Sequence, residues 1–326
     1  MIEGTLIEGT ADDRLRLAFA GFHPERLARL LAEHGPHRSL QMVLGGAGGR
    51  FDRAARAASV DVATRRGELT GLGVVPRFRG GPGYPSRLAG IVDAPDVLFV
   101  RGEIPDRPAV AVVGTRRCTA YGRQLAGEYG VAIAAAGWVL VSGLARGIDG
   151  AAHTGTVAGD GLGVAVLGCG PDLLYPPEHR FLAERLVATG GAVVTEYPPG
   201  APPEPWRFPP RNRIISGLAA ALVVVEAAVT GGALITANYA LTHGIPVFAV
   251  PGDVRRATST GCNLLIRDGA HPVLDPADLV EELSLVLGPP PEAAAARAAV
   301  IAGGARPDGG SGEGGGRGGE GGGRME

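Results

Sequence analysis

Val112-Val113-Gly114-Thr115-Arg116-Arg117-Cys118-Thr119-Ala120-Tyr121-Gly122 reads as an apolar strand that stops at a glycine turn and opens into a helix. The same grammar recurs along the chain. Short apolar runs at 97–100, 109–113, 138–141, 163–167, 192–195, 221–225 and 246–250 alternate with helix-length segments such as 119–136, 177–189 and 233–243. Near-continuous Val, Ala and Leu runs separated by helices predict strands buried on both faces, hence a parallel sheet covered on two sides. The fold class expected is α/β, a doubly wound and mostly parallel sheet. Its ligands belong in the loops that follow the strands.

Composition narrows the chemistry. All 31 basic side chains among 326 residues are arginine, with no lysine. A Walker A phosphate site and Schiff-base chemistry both need a lysine amine and are excluded. The formal net charge is −2, so any anion site must be a local patch. Cys118, Cys169 and Cys262 are scattered and odd in number, without disulfide-framework or zinc spacing. No signal-peptide pattern opens the chain, and the most apolar stretch, 218–229, is too short to span a bilayer and contains Glu226. A cytoplasmic protein without a membrane partner is expected.

Outside the alternating region, 1–75 carries helical periodicity (Leu15, Leu27, Leu30, Leu31, Leu40, Val43) and reads as a small helical module. A Gly/Pro-rich connection, 79–85, leads into an α/β region expected over 76–287. From 288 onward the sequence is Pro-, Ala- and then Gly-rich, with 13 glycines in the last 24 residues, and is expected to be disordered.

The turn at Gly114, Thr115, Arg116 and Arg117 joins a helix start to bidentate donors, a combination suited to phosphate. The spacing is not that of a dinucleotide fingerprint, and the residues alone also allow a turn glycine beside two surface arginines. Gly143 and Gly147 permit close backbone approach in the second loop, from which Arg146 projects. Ser142, Asp149 and His153 evoke a hydrolytic triad, but Ser142 lacks the nucleophile-elbow pattern; a capping Asp149 above a packed His153 is expected instead. Trp206-Arg207-Phe208-Pro209-Pro210-Arg211-Asn212-Arg213 sets arginines beside aromatics, the chemistry of single-strand binding, though the residues alone also allow a helix start with solvated arginines and a core-packed Phe. Gly231-Gly232 repeats the strand-end glycine turn.

The ordered set resembles the DNA-processing protein A (DprA, or Smf) family. It comprises Tyr84-Pro85, Leu98–Gly102, Gly114-Thr115-Arg116, Ser142–Asp149, Tyr175-Pro176, Arg211–Ser216, Ala233–Ala237 and Gly261-Cys262-Asn263. That resemblance implies a Rossmann-like core that binds single-stranded DNA, dimerises and helps load RecA recombinase on incoming DNA in natural transformation, without catalysis or cofactor. It implies a binding set of Gly114, Thr115, Arg116, Arg117, Gly143, Arg146, Phe208, Arg211, Asn212, Arg213, Gly231 and Gly232. The N-terminal module is similar to the family's helical (SAM or helix-hairpin-helix-like) domain, with Gly21-Phe22-His23-Pro24 in place of a Gly-x-Gly. This chain departs from the pattern at Gly231-Gly232 (Ser-Gly), Ile245 (Arg) and His179 (Asn), and its Gly-rich tail stands where many members carry a winged helix. A second reading is enzymatic: a nucleotide phosphoribohydrolase of the lysine-decarboxylase-like group, with 230–233 as a phosphate loop and Glu226 as its acid.

Overall fold

A computed structural model of the chain describes residues 2–45, 55, 59 and 61–291, with side chains from residue 11 onward. Helices α1 (Ile2–Phe19), α2 (Pro24–Leu44) and α3 (Val62–Gly71) precede strand β1 (Val74–Phe78), the short helix α4 (Ser86–Ala89) and strand β2 (Val97–Gly102). Then come β3 (Ala109–Val113), α5 (Ala120–Ala135), β4 (Val139–Ser142), α6 (Ile148–Ala158), β5 (Gly163–Val166), α7 (Arg180–Ala188) and β6 (Ala192–Thr195). The chain continues through α8 (Phe208–Leu218), β7 (Ala221–Val224), α9 (Gly232–Thr242), β8 (Val247–Ala249), α10 (Ala257–Arg267), β9 (His271–Pro272) and α11 (Pro276–Leu287).

The nine strands among the described residues form one sheet in the order β1-β2-β6-β5-β4-β3-β7-β8-β9. Pairing is parallel from β6 to β9, and antiparallel where β2 meets β6 and β1 meets β2. The chain walks outward from β3 to β6, then returns to lay β7 against the other side of β3. Ala111 therefore sits between Val141 of β4 and Leu222 of β7. That reversal is the topological switch point, and a crevice opens beyond the strand ends there.

The alternation of side chains shows why the strands read as continuous apolar runs. Ala109, Ala111 and Val113 face α8 and α9, whereas Val110 and Val112 face α5 and α11. With both faces buried, apolar residues fill these central strands, and the polar Ser142 and Thr195 come only at strand ends. Helices α5 and α6 touch backbone to backbone: a methyl on Gly155 would run into the Gly127 carbonyl, and one on Gly130 into that of Ala152.

Strand β1 is not legible in the sequence, where helical periodicity passes directly into a Gly/Pro connection. Its five residues include Pro76, which an edge strand tolerates because one side of its backbone stays unpaired. Leu15 and Ala18 of α1 and Leu69 of α3 pack on Val74, Val97 and Phe99, so the N-terminal helices rest on this antiparallel edge. The segment 177–189 begins as a 3-10 turn over Pro177–His179 before α7. The expected disordered tail falls, beyond residue 291, outside the described residues. No helix among the described residues is long and apolar enough to cross a membrane.

Gly155→Ala should destabilise the chain by about 1–3 kcal/mol, because the added methyl has a backbone carbonyl rather than a movable side chain to displace. Thermal unfolding should show a midpoint several degrees lower; an unchanged midpoint would mean the α5–α6 contact has slack.

Candidate functional site

The crevice at the switch point holds about 540 Å³ and is walled by the loops that follow β3, β4, β5, β6 and β7. The loop after β3 is drawn taut from two sides. The Thr115 amide donates to the Glu226 carbonyl at 2.7 Å, and the Thr115 carbonyl accepts from the Ile148 amide at 3.4 Å. Gly147 makes the second contact possible: its φ is +79°, and any side chain there would strike the Thr115 carbonyl. Held this way, Arg116 and Arg117 stand exposed at the mouth.

Arg116 lies over the face of Phe208, its Cζ 5.0 Å from the ring centroid. The Phe208 ring in turn lies 5.8 Å from that of Tyr175, and Arg146 covers Tyr175 at 5.9 Å. Two aromatic faces are thus capped by two exposed guanidiniums. Arg146 is held by a bidentate pair with Glu178, an exposed interaction of little energetic worth. Tyr175 carries no charge or glycine signal that would mark it as a site residue; only the position of its loop beyond β5 brings it here.

Arg211 forms the floor. It is 3% exposed and donates to the carbonyls of Gly143, at 2.9 Å, and Val166. Asp149, also buried, accepts the Gly143 amide at 3.1 Å, and a methyl on Gly143 would meet both Arg211 Nη2 and Asp149 Oδ2. Burial pulls the Arg211 guanidinium down to about 10, offset by Asp149; burial pushes the Asp149 carboxyl up, offset by Arg211. Each charge makes the other tolerable.

Two expectations need correction. Arg213 does not reach the crevice. Its guanidinium clamps both oxygens of Glu196 at 2.7 Å and donates to the Asp93 carbonyl at 2.7 Å, and these partners hold it firmly in its charged form. The start of α5, expected to offer free amides to an anion, is already occupied. The Glu226 carboxylate accepts from the Thr119 amide at 2.9 Å and the Thr119 hydroxyl at 2.6 Å, and that hydroxyl caps Gly122. Helix α9 is different: its cap is Gly231, with no side chain to satisfy the first-turn amides, and Gly231 and Gly232 line the crevice. The start of α9 is therefore a positive helix end open to a ligand. Asn212 stands beside it, donating to the Gly232 carbonyl at 3.3 Å.

No triad forms from Ser142, Asp149 and His153. The Ser142 hydroxyl donates to the Val112 carbonyl at 2.6 Å, and neither ring nitrogen of the fully buried His153 has a hydrogen-bond partner. Burial holds the His153 imidazole down at about 3; the nearby Ser142 backbone pulls weakly the other way without a well-formed bond. No cluster of His, Cys, Asp and Glu able to hold a metal occurs among the described residues.

The family model described as DNA recombination-mediator protein A matches residues 77–284. The chain is similar to the Smf protein of Escherichia coli K12, 42% identical over 206 residues, which are 63% of this chain and 55% of that one. The match thus spans about half the length of that relative. In three dimensions it is similar to DNA processing protein A of Streptococcus pneumoniae: TM-score 0.69, 33% identity, 82% of this chain and 96% of that one. The fold is also shared with DNA processing protein A of Helicobacter pylori, a structure described for its single-stranded DNA binding mode. There the TM-score is 0.57 at 24% identity, over 64% of this chain and 95% of that one.

Arg211→Ala should cost about 3–5 kcal/mol in denaturant unfolding, because it strands Asp149 and two carbonyls without compensation. Arg116→Ala, at an exposed position, should leave stability within about 0.5 kcal/mol; equal losses would contradict this division. His153 is neutral in the fold and titrates near 6.5 when unfolded, so the unfolded chain binds the extra proton and stability falls as pH drops from 6.5 towards 3. His153→Leu should remove up to about 1.4 kcal/mol per pH unit from that acid slope; an identical slope would place the titration elsewhere.

Proposed function

The chain belongs to the DNA recombination-mediator protein A family, and from the geometry of its crevice we propose that it binds single-stranded DNA there without catalysis. In this reading it protects incoming strands and helps load RecA recombinase during natural transformation and recombination, acting in the cytoplasm as a homodimer. The partner recombinase and the self-association rest on the family resemblance; the strand and its site rest on the residues.

The observation that carries the reading is Arg116 on the face of Phe208 at the crevice mouth. A ring already stacked by a planar cation is a ring a nucleobase fits, and the displaced guanidinium has a phosphate to bind. Tyr175 offers a second face beside it. Arg117 and the first-turn amides of α9 supply further sites for the backbone. Phosphate-and-stacking chemistry of this kind tolerates any base sequence. A chain of net charge −2 can hold a polyanion because these cations gather at one mouth.

The hydrolase reading finds less support. Among the residues lining the crevice the carboxylate is Asp149, buried and committed to Gly143 and the Arg211 charge. Glu226, the acid that reading requires, is spent on Thr119.

Arg116→Ala should weaken single-strand binding almost equally across sequences and lower the salt slope by about one phosphate contact. Phe208→Ala should lose about 1–3 kcal/mol of binding. Fluorescence anisotropy of labelled single- and double-stranded oligonucleotides across a salt series measures both. Unchanged affinity and slope in the two variants, or no preference for the single strand, would remove the proposed site.

A further inference from the structure

A second aromatic cleft, of about 250 Å³, lies between the N-terminal helices and the proline-rich loop that follows β6. Phe19 and Phe22 come from the α1–α2 corner; Tyr197 and Trp206 come from the loop. Each side carries guanidiniums laid on rings. Arg65 covers Phe19 at 4.8 Å, and Arg207 covers both Trp206, at 4.9 Å, and Tyr197, at 5.2 Å. Trp206 is 39% exposed and already stacked, at 5.5 Å and 28° between planes, on the exposed ring of His23.

We infer that this cleft is a second single-strand site, which takes the bases of the same DNA strand as it leaves the crevice; the inference rests on the crevice reading above. Three observations point to one occupant. The two cavities share a loop: Pro203 and Pro205 line the crevice, while Pro202, Trp206 and Arg207 line the cleft, so an occupant of one meets the other within a few residues. The lining repeats the guanidinium-over-ring pattern of the crevice, which serves backbone and base together. The Arg65–Glu68 pair is open to solvent on both sides, and such a pair yields to a phosphate at little cost, while the half-exposed Glu204 holds the more deeply set Arg207 against its rings. The Arg207 that makes the loop side basic belongs to the same arginine cluster as Arg211 yet faces away from the crevice.

The test uses the two tryptophans of the chain, since Trp138 is 1% exposed in the core and Trp206 alone can report on a stacked base. Full-length protein is titrated with oligothymidylates of graded length, roughly 4 to 30 nucleotides, by anisotropy and by tryptophan emission. Wild type should gain affinity beyond the length that fills the crevice, with emission quenched only by those longer strands. Trp206→Ala should lose roughly tenfold affinity for long strands and none for short ones. Trp206→Phe should keep most of the affinity and lose the quench, which separates a lost stacking face from a disturbed fold. Equal affinity of wild type and Trp206→Ala at every length, without quenching, overturns the second site and leaves the crevice standing. A loss independent of length overturns it too, because the effect then arises inside the crevice. If wild type binds no oligonucleotide, the crevice reading fails and this one with it.

Discussion

A guanidinium buried beneath the crevice organises everything above it. Arg211 draws the ends of β4 and β5 to helix α8 through the Gly143 and Val166 carbonyls, and its charge faces Asp149 from helix α6. Removing a full charge from water costs several kcal/mol even after relaxation, so such a group persists only when its donors and its charge are both answered. Here they are, and the answer comes from three separate segments. Phe208, on the same helix, stands over this floor and gives Arg116 its seat.

The arginines divide by what they touch. Arg211 and Arg213 are interior braces, the second joining α8 to the end of β6 and to the loop at Asp93. Arg146 lies on the surface, latched to Glu178. Arg116 and Arg117 are exposed and available at the mouth. Acidic groups sort the helix ends in the same way. Glu226 fills the start of α5, whereas the glycine-capped start of α9 faces the crevice as an open positive end. An electropositive site in a slightly acidic chain thus results from where the anions are used up as much as from where the cations stand.

Much of the sheet was legible because both its faces are buried, which fills the central strands mostly with Val, Ala and Leu and forbids the alternation of a half-wet strand. Strand β1 was not, since five residues with a proline between two glycine turns carry no period of their own; α1 and α3 packed on one side make them a strand. Within the arginine cluster helical spacing held more information than composition did. Phe208 and Arg211 are three residues apart and share a face, whereas Arg213, two further on, turns by roughly 200° to the opposite one. Tyr175 had no comparable signal, because its partner ring lies more than thirty residues away in the chain.

By itself the sequence determined the layered α/β architecture, the strand-end glycine turns and the gathering of arginines and aromatics around 206–213. These are properties of local pattern, set by periodicity and by the steric freedom of glycine. Which arginine is a brace and which is free, which helix end is filled, and how two aromatic clefts come to share one loop were decided only by the tertiary structure. Burial and charge compensation are relations between segments distant in the chain, and a side chain has no fixed role until its neighbours have taken or refused its charge.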